Sequence, residues 1–140
     1  MDIISKEKRS WNMSRIKGKN TKPELVVRSF LHKMGYRFRL HRKDLPGKPD
    51  IVLKKYNTVI FVHGCFWHRH KDCKYAYMPK SRVKFWKEKF AGTIKRDREH
   101  QKQLREISWN VKTIWECETH NLETLKAKLE DILERKKLRT

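Results

Sequence analysis

No apolar stretch in this chain approaches the roughly 20 residues needed to span a bilayer, and no basic-then-apolar leader opens it. The expectation is a soluble, intracellular protein without a membrane partner. There is no internal repeat and no low-complexity linker either, so 140 residues read as one domain with a real core. Cysteine is scarce: three residues form an odd set that suits a disulfide framework poorly. Acidic residues are the other shortage. Sixteen stand against 36 Lys and Arg, for a net charge of +20 spread along the whole chain. Such a field favours a polyanion and steers it in from a distance, which points to nucleic acid over a membrane surface.

What the sequence does contain is concentrated in Val59–Cys73, VIFVHGCFWHRHKDC. Val59-Ile60-Phe61-Val62 has the length and β-branched character of a buried strand. At its end come His63, Cys65, His68, His70 and Cys73, each a potential metal ligand or proton carrier, with Phe66 and Trp67 among them. Just upstream, Leu45-Pro46-Gly47-Lys48-Pro49-Asp50 places one carboxylate at the start of another short apolar strand, Ile51-Val52-Leu53.

Around these stretches the pattern predicts an α/β fold. Residues 1–20 carry six Lys and Arg and read as a flexible basic DNA-binding arm, with Trp11 and Met13 as large apolar side chains on it. Residues 21–140 form the folded domain. Thr21, Pro23 and Glu24 open a helix as cap, first-turn proline and capping-box acid, and Gly35 ends it after a stripe of Val27, Phe30, Leu31 and Met34. Tyr36, Phe38 and Leu40 alternate as a strand, Pro46-Gly47 turns the chain, and Tyr56-Asn57 turns it again. A helix is expected from Ser81, interrupted or bent at Gly92, followed by a charge-dense outer-face run through Ile94, Leu104 and Ile107. Val111, Thr113 and Trp115 make a further strand. Leu122, Leu125, Leu129, Ile132 and Leu133 give the stripe of a last amphipathic helix. The order implies a mixed sheet flanked by helices.

The chemistry divides into two sets. Asp50, a backbone carbonyl from the neighbouring strand and substrate phosphate oxygens suit Mg2+, which prefers oxygen donors and keeps several waters. His63 and His68 are candidate proton carriers because imidazole titrates near neutrality. Glu24 has a plain explanation as the capping acid and a second one beside the metal-bound water or His63. Cys65, His70, Cys73 and Cys117 form a Cys3His set that suits a closed, structural Zn2+, with His68 as the rival fourth ligand. Phe66 and Trp67, projected by a zinc-pinned turn, would stack on bases or wedge between them, at least cost where pairing is already faulty.

His-Gly-Cys-Phe-Trp-His at 63–68, Leu45 to Asp50, Phe85-Trp86 with Lys89, Arg96-Asp97 and Trp115-Glu116-Cys117 together resemble the very-short-patch repair (Vsr) DNA mismatch endonucleases. The resemblance runs from about Arg9 to beyond Cys117. It implies a restriction-endonuclease-like core and a Mg2+-dependent nick beside the T of a T·G mismatch, the lesion left by deaminated 5-methylcytosine. It implies Asp50 and the Val62 carbonyl as Mg2+ ligands, His68 as general base, and His63 and Glu24 as assistants. Phe66, Trp67 and Trp86 would wedge from the major groove, Met13 would enter the minor groove, and Lys89 would read the mismatched bases. Thr93 stands where the family pattern has an Asn that helps recognise the mismatch. Lys71-Asp72 makes the His70–Cys73 spacing one residue longer than that pattern. His63-Gly64-Cys65 replaces the acid-x-lysine pair usual in restriction-type nucleases. The implied partners are mismatched double-stranded DNA and other repair proteins, with a monomer acting on the nucleoid of a bacterial-type cytoplasm. Two other readings use the same residues: a related nuclease for restriction or transposition, and a zinc-stabilised DNA-binding module without catalysis.

Overall fold

The computed structural model describes residues 21–137, with side chains through 133. The basic arm expected over residues 1–20, Met13 included, lies outside the described residues. In chain order the elements are α1 (Lys22–Lys33), β1 (Arg39–Leu40), β2 (Ile51–Leu53), β3 (Thr58–His63), α2 (Val83–Glu106), β4 (Asn110–Trp115) and α3 (Leu122–Lys137). The four strands form one mixed sheet in the order β1-β2-β3-β4, antiparallel at the first two junctions and parallel between β3 and β4.

Both faces of the sheet are covered, which is why β2 and β3 read as continuous apolar runs rather than alternating ones. Side chains alternate across the sheet with a period of two. Ile51, Leu53 and Ile60 therefore point one way, with Ile114, onto Val27 and Leu31 of α1 and Leu125, Leu129 and Leu133 of α3. Val52, Val59 and Phe61 point the other way, with Leu45, onto Leu104 of α2. The same alternation carries Asp50 and His63, the residues just beyond these runs, onto the α2 side.

α1 starts as its sequence predicts: Thr21 is the N-cap, its hydroxyl accepts from the Glu24 N–H at 3.4 Å, and proline sits in the first turn. The Glu24 side chain, however, is 1% exposed and turned toward Arg28 and His41, so its role exceeds that of a capping acid. α2 corrects the expectation of a break at Gly92, since it runs 24 residues without interruption. A helical glycine costs only about 1 kcal/mol against alanine, and Phe90 and Leu104, buried on either side of it, hold the helix to the core. In β4 the fully buried residue is Ile114, while Val111, Thr113 and Trp115 are half-buried. In α3, Leu122 lies outside the buried stripe and is exposed.

Candidate active site

Asp50 is aimed by the loop before it. Leu45 is buried in the α2-side core, and the Lys48 N–H closes a turn onto its carbonyl at 3.1 Å. Gly47 has φ +74°, and a Cβ there would stand 2.8 Å from that of His100 on α2, so the turn against the helix admits only glycine. The Asp50 carboxylate accepts from the Val62 N–H at 2.7 Å. A strand residue directs its N–H and C=O toward the same neighbour, so the Val62 carbonyl faces the Asp50 edge as well. Burial pushes the Asp50 carboxyl up to about 7, aided by the charge and hydrogen bond of Glu24 and opposed by the Val62 N–H. Two carboxylates thus share a poorly solvated corner, where a divalent cation would neutralise them. Glu24 also takes His41 Nε2, at 2.9 and 3.0 Å from its two oxygens, and Arg28 at 3.1 Å. One donor atom each from Glu24, His41 and Asp50 lie within 4.8 Å of one another.

His63 and His68 stack with ring centroids 3.8 Å apart and planes 7° off parallel. His68 Nδ1 lies 2.7 Å from Asp97 Oδ2 on α2. Burial brings His63 down to about 4, the charge of His68 lowers it further, and Asp97 opposes both. His63 is therefore neutral at pH 7. Asp50, Val62, His63, His68 and Asp97 line one open cleft of about 610 Å3, with His41 and His100 on its walls. Of the two donor groups, His63–His68–Asp97 lines that space entirely, and Glu24–His41–Asp50 reaches it through His41 and Asp50.

The other cluster is of a different kind. Cys65, His70, Cys73 and Cys117 bring their donor atoms within 4.8 Å of one another, and Cys65 is fully buried. His70 Nδ1 lies 3.7 Å from Cys65 Sγ and 3.4 Å from Cys117 Sγ. A tetrahedral zinc site, with bonds of about 2.3 Å to sulfur and 2.0 Å to nitrogen, has S···N edges near 3.6 Å. The set fits zinc. Burial pushes the Cys65 thiol up to about 12, so a thiolate there requires a cation beside it. His68, the rival fourth ligand, is instead engaged with Asp97 and His63. The longer His70–Cys73 segment turns through Asp72 at φ 57°, and the Cys73 carbonyl accepts from the Ala76 N–H at 3.0 Å.

Phe66 and Trp67 do not project singly. Phe66 packs edge-on to Trp67, Trp86 and Phe90 at centroid distances of 5.2, 5.6 and 5.2 Å, and Trp67 lies 5.7 Å from Trp86. Arg69 holds the group together: its guanidinium sits 3.9 Å over Phe90 and donates to the carbonyls of Phe66, Ala76 and Tyr77. Phe66, Trp67 and Trp86 are half-buried, and exposed Lys89 stands 6.0 Å over Trp67. The Thr93 hydroxyl is turned back onto its own helix and donates to the Lys89 carbonyl at 3.1 Å.

Sequence reasoning missed His41 and Arg69 and took Asp97 for part of a solvated helix face. His41 sits in a run of alternating basic residues, so nothing in its neighbours marks it. Asp97 had a signal: an acid at this position of a helix that packs across a histidine-bearing strand end can orient an imidazole.

A family model described as DNA mismatch endonuclease Vsr matches residues 1–75. The chain is 47% identical to type II nicking enzyme V.XorIIP of Xanthomonas oryzae pv. oryzae over 95% of its length and 97% of that protein's. It is 40% identical to DNA mismatch endonuclease Vsr of Escherichia coli over 89% of its length and 79% of that protein's. Among solved structures, the catalytic domain of homing endonuclease I-Bth0305I superposes with a TM-score of 0.59 at 17% identity. That match covers 84% of this chain and 98% of the other, and it shares a restriction-endonuclease-like fold.

Proposed function

Because the chain belongs to the Vsr family of DNA endonucleases, we propose that it nicks one strand of a duplex beside the T of a T·G mismatch by Mg2+-dependent hydrolysis. The observation that carries this reading is that the segment His63–His68 puts His63 and His68 in the Asp50 cleft and Phe66 and Trp67 in the aromatic cluster. Proton acceptor, carboxylate and base-stacking surface are thereby built as one unit.

Asp50 and the Val62 carbonyl offer hard oxygen donors, and Glu24 adds a second carboxylate to neutralise, which fits Mg2+ better than a softer ion. When bound, Mg2+ would offset charge on the scissile phosphate and make a bound water more acidic. His68 is the general base: Asp97 holds its Nδ1–H, leaving Nε2 to accept the proton of the attacking water. His63, neutral and stacked on His68, fixes the plane of that ring. Phe66, Trp67 and Trp86 present π-faces to an unstacked base pair, with Lys89 beside them to contact base edges or phosphate; the minor-groove role falls to Met13, which lies outside the described residues. The Cys3His site, when holding Zn2+, would fix the loop that carries Phe66, Trp67 and His68 and would leave no open position for a reacting water.

A strand-resolved nicking assay tests the proposal, comparing a T·G duplex with its T·A and C·G counterparts, with Mg2+ and with chelator. The proposal expects one Mg2+-dependent nick beside the mismatched T. Equal cleavage of paired DNA would favour a nuclease of broader substrate. Thr93 is the observation on that side, because its hydroxyl is bonded within α2 and lacks an amide's paired donor and acceptor. Tight binding without any cleavage would leave a zinc-stabilised binding module.

A further inference from the structure

Given a divalent cation on Asp50, we infer that His41 is the positioning residue that completes its site by fixing Glu24 beside Asp50. His41 follows β1 directly and lies opposite Asp50, donating its backbone N–H to the Asp50 carbonyl at 3.2 Å. It does so from φ 48°, a left-handed conformation that a residue with a side chain adopts only at some cost. This kink aims the imidazole at α1, where Nε2 straddles the two oxygens of Glu24 at 3.0 and 2.9 Å. Glu24 is 1% exposed, so its carboxylate relies on hydrogen-bonding partners in place of water. One turn along α1, Arg28 donates to Oε2 at 3.1 Å. His41, touching both oxygens, thus sets the tilt of the carboxylate toward Asp50, a donor atom of which lies within 4.8 Å.

Partners that orient a ligand without touching the metal typically change affinity by about 10- to 100-fold when removed. The effect is read by titrating Mn2+ into the zinc-loaded full chain and following free Mn2+ by electron paramagnetic resonance, alongside nicking of the T·G duplex. His41→Ala is expected to weaken Mn2+ by about 10- to 100-fold, with the nicking rate recovering at saturating cation. His41→Gln, whose amide N–H replaces Nε2–H, is expected to stay close to wild type. Both variants carry a Cβ at the same left-handed position, so the backbone cost is matched between them. If His41→Ala does not fold, His41→Asn replaces it, since its shorter amide falls short of Glu24. His41→Ala binding Mn2+ as wild type does would overturn the inference. So would His41→Gln losing as much as His41→Ala, which would make the imidazole itself a ligand. Asp50→Ala is the separate arm: unchanged Mn2+ affinity there would sink the cation reading, whatever His41 does.

Discussion

The strand end at His63 leads into two clusters of metal-ligand side chains that differ in every respect except their density. The Cys65–His70–Cys73–Cys117 cluster has three sulfurs and one nitrogen, with its edges already near those of a tetrahedron. The Asp50 cleft offers carboxylates, a backbone carbonyl and imidazoles around an open space of about 610 Å3. The number of potential ligands is therefore a poor guide to where chemistry happens. On the proposed reading, donor hardness and room for a reacting water decide it, and of the two clusters the cleft offers both.

Breaking the closed cluster should produce the largest effect. Structural zinc in small folds is worth on the order of 10 kcal/mol of gross stabilisation. Cys65→Ser is expected to lose bound zinc and the cooperative thermal transition together, whereas removing Mg2+ with a weak chelator should leave the transition in place. Calorimetry with metal analysis distinguishes the two.

The next contrast lies within the cleft. His68→Ala removes the proposed base and should slow single-turnover nicking by about 100-fold or more at unchanged zinc content. Equal loss of zinc would return His68 to the closed cluster as its ligand. Smaller again is the aromatic surface. Base stacking is worth about 1–3 kcal/mol per ring, so Trp67→Ala should reduce preference for the T·G duplex over T·A by about tenfold, measured as the ratio of nicking rates.

A further contrast is one of pH. The folded chain keeps the Asp50 proton up to about 7, while the unfolded chain releases it near the ordinary value of 3.8. Across that window the folded state binds more protons, so rising pH destabilises the Mg2+-free fold through this group. His63 acts in the opposite sense: held at about 4 against 6.5, it costs stability as pH falls. In a comparison of wild type with Asp50→Asn the His63 contribution is common to both. The melting temperature of Asp50→Asn should therefore gain on wild type as pH rises from about 4 to about 7. Added Mg2+ should erase that gain.

Much of this was legible in the sequence because it follows from periodicity and from ligand type. The apolar runs at 51–53 and 59–62 and the stripes of α1 and α3 predict the layers. Scarce cysteine, clustered with histidine, predicts the closed site. The misses share one cause, which is that tertiary contact reassigns ordinary residues. Gly92 reads as a breaker, yet Phe90 and Leu104 anchor an α2 that continues through it unbroken. Asp97 reads as one charge among many until α2 crosses the sheet and brings it to His68. His41 acquires a role only because residue 41 pairs with Asp50 across the sheet edge and reaches a buried acid from α1.

The most direct test of the contrast is single-turnover nicking of the T·G duplex by Asp50→Ala carrying the same zinc content as wild type. An oxygen-donor reaction centre and a purely structural Cys3His site require the zinc-loaded variant to lose at least about 1000-fold in rate while keeping its fold. A zinc-loaded Asp50→Ala that nicks within a few-fold of wild type would contradict the account.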